Sequence, residues 1–392
     1  MGEATKAHGM DGTLVAPDWA PLTMEEVREL LIQFPGCGEP LEILSVSPRP
    51  FSAASVVATA NGRVFIKRHH RSVRNREGLQ EEHRFLTHLH TRGAPVPRVF
   101  VAASGETAIE RGEWTYEVHE VPRGADLYGD ALSWTPFRSV AHARSAGKTL
   151  ARLHRAAEGF DAPLRKPRPL VASFTIFASE DPCAGLECYF AERPALAMDP
   201  AVRGDAEEAL ALLAPFYAEL KALLPALAPL WTHNDLHASN LLWSDGGHNA
   251  QATAIIDFGL SDRTNAVHDL AHAIERNIVE WLVLVERPSQ PENVPVHVDH
   301  LLALLDGYES VRPLSEAEAA ALAPMTALCH AEFALSETDY FLGVLHSKEK
   351  ARMAHDGWLV GHARWFRSAA GERLLDVLRQ WAAPRISPRE QS

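Results

Sequence analysis

The stretch WTHNDLHASNLLW, residues 231–243, places several polar side chains between apolar ends that are typical of strands. It contains Asp235 and, five positions later, Asn240. A second apolar run, AIIDFGL at 254–260, adds Asp257 seventeen residues after that asparagine. The apolar runs fit two short strands that hold the two polar loops side by side, so we predict that these three side chains form one site.

The spacing of these residues is that of a phosphoryl-transfer catalytic loop followed by a DFG triplet. Phosphoryl transfer gathers negative charge on three oxygens, so catalysis depends on positioning and on charge neutralisation by Mg²⁺. Asp235 is the predicted catalytic base, and Asn240 and Asp257 are predicted Mg²⁺ ligands because they offer hard oxygen donors. His233 is expected to brace the loop. The alternative is that these residues only cap turns and strand ends.

Parts of an ATP site are also present upstream. Lys67 lies in RVFIKRH, a strand-like run, and is predicted to bind the ATP phosphates. A glutamate of the next helix should pair with Lys67, and Glu81 and Glu82 are both candidates for this role. Glu82 shares the apolar side of that helix, so we predict Glu82 as the partner. The alternative is a solvated lysine and a solvated glutamate.

Two further segments are assigned to nucleotide binding. The connector HEVPRG would present backbone groups near Glu120 and Val121 to the adenine edge. The loop PRPFSAASVV at 48–57 has no glycine, and Ser52 and Ser55 are its candidates for phosphate contact. ATP and Mg²⁺ are therefore the predicted cofactors.

The order of predicted elements gives an α+β fold with two lobes. The first lobe is an antiparallel sheet with one main helix, and the second is mostly helical. Its strands are predicted at 41–47, 55–60, 63–67, 95–103 and 114–122. The predicted divisions are a flexible tail at 1–21, a nucleotide-binding lobe at 22–118, a hinge at 119–124 and a catalytic, acceptor-binding lobe at 125–385.

The composition argues against several classes of protein. The net charge of −13, with 51 acidic and 38 basic residues, disfavours nucleic-acid binding. The longest apolar run, 209–231, contains charged residues and prolines, so no membrane partner is predicted. The four cysteines lack disulfide or zinc spacing, which favours a cytoplasmic protein. The oligomeric state stays open.

The motifs as a group resemble the aminoglycoside phosphotransferase and choline kinase superfamily, protein-kinase-like enzymes that phosphorylate small molecules. LARLH, HNDLHASNLL, IIDFG and HDLAHAI carry the resemblance, and LTMEEVRELLIQF and LLDGYESVRPLSEAE are most similar to the type II homoserine kinase branch. The resemblance implies a small-molecule acceptor. Asn234 replaces the arginine of many protein kinases, and no Ala-Pro-Glu follows the DFG, so a protein kinase is disfavoured. A pseudokinase or scaffold that binds ATP without turnover is the other alternative.

The segment after the DFG is acidic. Residues 257–309 hold ten acidic residues against three arginines. Either Glu275 or Glu280 could pair with a substrate ammonium while Trp281 adds a cation–π contact. The acceptor is therefore predicted to be an amine-bearing alcohol: an amino alcohol, a hydroxy amino acid or an amino sugar. The alternative is a solvated acidic surface.

Overall fold

The structure, a computed structural model, describes residues 7–9 and 12–386. The strands of the N-terminal lobe are β1 (Ala7–His8), β2 (Leu14–Val15), β3 (Pro40–Val46), β4 (Ala53–Thr59), β5 (Gly62–His70), β6 (Ala108–Arg111) and β7 (Trp114–Glu120). β1 pairs with β2, and the other five form an antiparallel sheet in the order β3-β4-β5-β7-β6. This sheet forms one wall of the cleft between the lobes.

Alternation along β4 and β5 gives the sheet two different faces. Val57 of β4 pairs with Val64 of β5, and both are buried in a core beneath α1 (Met24–Leu31). Lys67 lies on the opposite face and pairs in register with Glu117 of β7. Every second residue of β5 therefore faces the cleft.

Two helices complete this lobe. Thr23 caps α1, and its capping box with Glu26 confirms the predicted helix start. The second helix, α2 (Arg76–Thr91), begins after Asn75, whose side chain accepts the Gly78 N–H. α2 lies between β5 and β6 in the chain and brings its buried face towards the cleft side of the sheet.

The C-terminal lobe is built from helices and two short pairs of antiparallel strands. Its helices are α3 (Val140–Ala157), α4 (Pro182–Ala191), α5 (Pro194–Ala197), α6 (Pro200–Lys221), α7 (Ala266–Ile278), α8 (Trp281–Glu286), α9 (Val298–Glu309), α10 (Glu316–Leu328), α11 (His330–Gly343), α12 (Lys348–Arg352), α13 (Gly361–Phe366) and α14 (Ala369–Ile386). Its strands are β8 (Pro229–Thr232), β9 (Leu241–Trp243), β10 (Ala252–Ile255) and β11 (Asp262–Asn265), which pair as β8 with β11 and β9 with β10.

Helices α3 and α9 cross at two glycines. A Cβ on Gly147 would lie 2.0 Å from the Leu304 carbonyl oxygen, and one on Gly307 would lie 2.0 Å from that of Arg144. The backbones can approach this closely only because both positions lack a side chain. The crossing fixes α3, which carries His154 to the catalytic loop.

The predicted α+β, two-lobed fold is confirmed, and two local expectations differ. Residues 95–103 form only a bridge from Val99 to His119 rather than a strand, because Pro95 and Pro97 lack backbone N–H groups. The described part of the predicted flexible tail is packed, with Trp19 stacked on His70. No helix within 7–9 and 12–386 is long and apolar enough to span a membrane.

Candidate active site

The catalytic loop between β8 and β9 is held by one buried carboxylate. Asp269, in the first turn of α7, accepts the backbone N–H of His233 at 2.9 Å and that of Asn234 at 2.8 Å. His154 of α3 lies 2.9 Å from the same carboxylate. Asn234 has a φ of 61°, a left-handed conformation that asparagine tolerates better than most residues. Asp269 thus supports the catalytic loop itself.

Asp235 projects from this loop into the cleft. Its Oδ1 lies 2.9 Å from Nε of Arg276, and its Oδ2 accepts the Asn240 side-chain N–H at 3.2 Å. Burial raises the pKa of Asp235 to about 6, while the Arg276 charge opposes that rise. The carboxylate is therefore basic enough to accept a proton and still ionised at neutral pH.

Asp257 faces Asp235 from the DFG turn. It has a φ of 62° and accepts Nζ of Lys67 at 2.8 Å. Burial opposes ionisation of this carboxyl, but Lys67 and His233 outweigh it and lower the pKa of Asp257 below its usual range. The lysine of the N-terminal lobe and the aspartate of the C-terminal lobe thus form one charged pair across the cleft.

A single cavity joins these groups. Its lining includes Ser52, Lys67, Asp235, Asp257, Arg276 and Glu337. The predicted base, one predicted metal ligand and the predicted phosphate-binding lysine therefore share one space. Asn240 lies behind Asp235. Its Nδ2 also donates to the Asp235 backbone oxygen at 2.9 Å.

Ser55 does not face this cavity. Its neighbours at alternate positions, Ala53 and Val57, lie in the core beneath α1, and β-strand alternation puts Ser55 on that same face. The residue is 1% exposed. The prediction that its hydroxyl contacts phosphate is therefore wrong, whereas Ser52 lines the cavity.

Glu82 is buried near Lys67 but does not pair with it. Its carboxylate lies 3.9 Å from an Arg165 nitrogen. Lys67 instead pairs with Asp257, and Glu117 lies directly across the sheet from it. Burial lowers the pKa of Lys67, but Asp257, Glu117 and, least of the three, Glu82 raise it above the usual value. The sequence did not indicate Glu117.

The predicted hinge begins inside a strand. β7 continues to Glu120, whose backbone N–H donates to the Arg98 carbonyl at 2.8 Å. That N–H is therefore engaged with Arg98, and adenine contact through other backbone groups near Glu120 stays a prediction. Val121 is the first residue after β7, and adenine contact through its backbone stays a prediction.

Neither glutamate proposed for an amine pocket lines the cavity. Glu275 is fully buried against His362, and Glu280 accepts from His297 at 2.8 Å. Trp281 is buried and stacks on His362. The sequence predicted one helix through both glutamates, but α7 ends at Ile278 and Glu280 precedes α8, so helical periodicity could not place the two side chains relative to the cleft.

Glu337 and Arg49 are among the cavity residues that the sequence did not predict. Glu337 of α11 is 3% exposed, and burial raises its pKa to about 8, against the opposing charge of Arg276. Arg49 reaches across from the N-terminal lobe and donates to Ser133 Oγ at 3.1 Å. These two residues add a further acidic and a further basic side chain to the cavity that contains Asp235. No sequence motif marks either residue.

The family comparison agrees with this geometry. The phosphotransferase enzyme family (APH) matches residues 50–314. The chain therefore belongs to this family, which confirms the resemblance drawn from its motifs. Its fold and class are those of small-molecule kinases.

Individual relatives support the same class. A homoserine kinase of Gluconobacter oxydans (strain 621H) is 31% identical over 182 residues, which is 45% of this chain and 46% of that protein, so the match spans less than half of the relative. A homoserine kinase of Phenylobacterium zucineum (strain HLK1) is 27% identical over 322 residues, covering 78% of this chain and 81% of that protein.

Solved structures share the fold. The microcompartment-associated aminopropanol kinase has a TM-score of 0.57 at 17% identity, covering 90% of this chain and 100% of that one. Amicoumacin kinase hAmiN, solved in complex with AMP-PNP, Ca²⁺ and Ami, has a TM-score of 0.53 at 13% identity, covering 86% and 92%. At these identities the similarity concerns the fold.

Proposed function

We propose that this chain transfers the terminal phosphoryl group of ATP to the hydroxyl of a small hydroxy amino acid, with homoserine as the first candidate. The observation that carries the proposal is the cavity that Asp235 shares with the Lys67–Asp257 pair. A proton acceptor and a phosphate-binding cation must face the same space for direct transfer between two bound substrates.

The residues of the site have different roles in the proposed transfer. Asp235 accepts the proton of the acceptor hydroxyl as its oxygen attacks the phosphorus in line. Lys67 leaves Asp257 to contact the phosphates when the nucleotide enters. The Asn240 and Asp257 oxygens suit Mg²⁺, because the Asn240 amide uses its nitrogen towards Asp235 and its oxygen accepts no hydrogen bond within the described chain. When bound, Mg²⁺ neutralises charge on the phosphates.

The acceptor class follows from the remaining cavity groups. Glu337 can pair with an ammonium, and Arg49 can pair with a carboxylate from the opposite wall. The Glu337 carboxyl, whose pKa lies at about 8, ionises when an ammonium is placed beside it. An amino acid supplies both charges, and both sequence relatives described above are named homoserine kinases.

A matched acceptor panel tests this. ADP release is measured with L-homoserine, with 4-hydroxybutanoate, which lacks the amine, and with 3-amino-1-propanol, which lacks the carboxylate. We expect L-homoserine to exceed each analogue in kcat/KM by about tenfold or more, which corresponds to one charged contact of roughly 1.4 kcal/mol.

The outcomes separate the alternatives. Equal kcat/KM values for L-homoserine and 4-hydroxybutanoate contradict the ammonium contact. Nucleotide-dependent stabilisation without ADP release from any hydroxylated acceptor supports a pseudokinase instead, and phosphate incorporation into proteins supports a protein kinase. We also propose a cytoplasmic location, on the cysteine spacing of the sequence.

A further inference from the structure

A second group of polar side chains lies in the C-terminal lobe, behind the cleft. Glu275 of α7, His330 at the start of α11 and His362 of α13 come together from three helices. Their exposed fractions are 0%, 2% and 2%. Glu275 Oε1 lies 3.2 Å from His362 Nδ1 and 3.5 Å from His330 Nδ1.

These groups have no hydrogen-bond partners in the described chain. Both oxygens of Glu275 and both ring nitrogens of His330 and of His362 are buried without one. Each unpartnered buried polar group costs about 1–3 kcal/mol, and folded proteins contain few of them. Six such atoms in one place are therefore unusual, and an ion bound to one atom of each side chain removes part of this cost.

The distances fit a metal ion better than hydrogen bonds. Ligand atoms about 2.0–2.1 Å from a tetrahedral centre are separated by about 3.3 Å, close to the two distances above. The other buried histidine–glutamate group of the described chain is different: His83 and His119 make hydrogen bonds of 2.8 and 3.0 Å to Glu117. In that group both imidazole–carboxylate contacts are hydrogen bonds, and the one buried side-chain atom without a partner in the described chain is His83 Nδ1.

We propose that Glu275, His330 and His362 form a binding site for one transition-metal dication of the Zn²⁺ class. Two imidazole nitrogens and a carboxylate are a ligand set that zinc accepts, whereas Mg²⁺ and Ca²⁺ prefer oxygen donors throughout. Water completes the fourth position. This site is separate from the nucleotide cleft and does not depend on the proposed acceptor.

The metal would link α7 and α11, which both line the cavity, to α13 behind them. α7 also carries Arg276, the neighbour of Asp235, and α11 also carries Glu337. Because three ligands come from positions 275, 330 and 362, the ion links parts of the chain that are far apart in sequence. It would therefore stabilise the wall on which both cavity residues stand.

The test uses the full chain without a histidine tag, stripped with a chelator and then given Zn²⁺ or Co²⁺. We expect about one ion per chain by elemental analysis, the visible absorption of tetrahedral Co²⁺, and an increase in Tm of about 5 °C with Zn²⁺. His330→Gln and His362→Gln should each lose the Co²⁺ spectrum and the Tm increase. Asp257→Asn and His119→Gln should keep both, because they alter the cleft and the other histidine group.

Each outcome decides the matter. Failure of the stripped wild-type chain to take up Zn²⁺ or Co²⁺ overturns the proposal, and so does an unchanged Co²⁺ spectrum in His362→Gln. Loss of the spectrum in Asp257→Asn assigns the ion to the cleft and overturns it as well. If a glutamine variant fails to fold, wild-type stoichiometry together with the two control variants still decides.

Discussion

At the scale of single residues, Asp235 combines burial with an adjacent cation. We predict that Asp235→Asn lowers turnover about a hundredfold or more, because a positioned base supplies roughly 10²–10⁴ of rate. ATP affinity should change little, since the proposed role of Asp235 is to contact the acceptor hydroxyl rather than the phosphates. Turnover and ATP binding by calorimetry are the measurements. Near-normal turnover in this variant would remove Asp235 from the chemistry.

The positive charge of Arg276 lowers the pKa of Asp235. With the pKa of Asp235 at about 6, its ionised fraction falls as the pH drops below that value, so kcat/KM should fall there. Arg276→Gln removes the opposing positive charge. The acid limb of the kcat/KM profile should then move to higher pH by about one unit or more. Arg144→Gln, which alters an exposed pair with Asp306, is the control. An unshifted limb in Arg276→Gln contradicts this coupling.

At the scale of elements, the first turn of α7 anchors the catalytic loop. Burial opposes ionisation of Asp269, but His154 outweighs it and lowers the pKa of the carboxyl. A carboxyl whose pKa is lowered by folding stabilises the fold at neutral pH. This contribution is lost as the pH falls through the pKa that the carboxyl has in the folded protein. Asp269→Asn removes the charge and places an amide N–H₂ group beside the backbone N–H groups of His233 and Asn234. We therefore predict that the free energy of unfolding falls by about 3 kcal/mol.

Urea unfolding of Asp269→Asn against wild type measures this loss. The matched control is Asp306→Asn, which breaks an exposed 3.2 Å pair with Arg144 and should cost at most about 1 kcal/mol. The difference between wild type and Asp269→Asn should shrink at acid pH, because protonation then removes the same charge in the wild type. Equal losses in both variants would mean that Asp269 does not support the loop.

Local patterns predicted the parts of the site that lie close together in the chain. The spacing of Asp235, Asn240 and Asp257 was readable because the β9–β10 hairpin joins their two loops directly. The capping of α1 was readable for the same reason, since Thr23 and Glu26 are three residues apart. Contacts of this kind require no knowledge of how the lobes pack.

Residues placed by tertiary packing were missed. Ser55 was assigned to the cleft because its strand register was unknown, and a shift of one residue reverses the face. Glu117 was missed because it reaches Lys67 only through the pairing of β5 with β7. Glu337 lies about a hundred residues beyond Asp235, and only the packing of α11 brings it to the cavity.

At the scale of the whole molecule, the segment before α1 connects the two lobes. Trp19 stacks on His70 with ring centroids 5.1 Å apart and donates through Nε1 to the Tyr340 hydroxyl at 3.1 Å. The neighbouring Asp18 accepts from the same hydroxyl at 3.1 Å and pairs with Lys350. His70 belongs to β5, and Tyr340 belongs to α11, one turn beyond Glu337. The two walls of the cavity are thus held together by residues first interpreted as a flexible tail.

This connection predicts an effect of Trp19 on activity although the residue does not line the cavity. Trp19→Ala removes the ring stack and the hydrogen bond, so the two lobes are less well positioned before substrates bind. Part of the substrate binding energy is then used to restore their arrangement. We expect kcat/KM for the acceptor to fall about tenfold and Tm to decrease, a coupling of roughly 1.4 kcal/mol. Leu14→Ala is the control, because Leu14 is 58% exposed and belongs to the same segment. If the two variants have equal kcat/KM and equal Tm, the segment carries no coupling between the lobes.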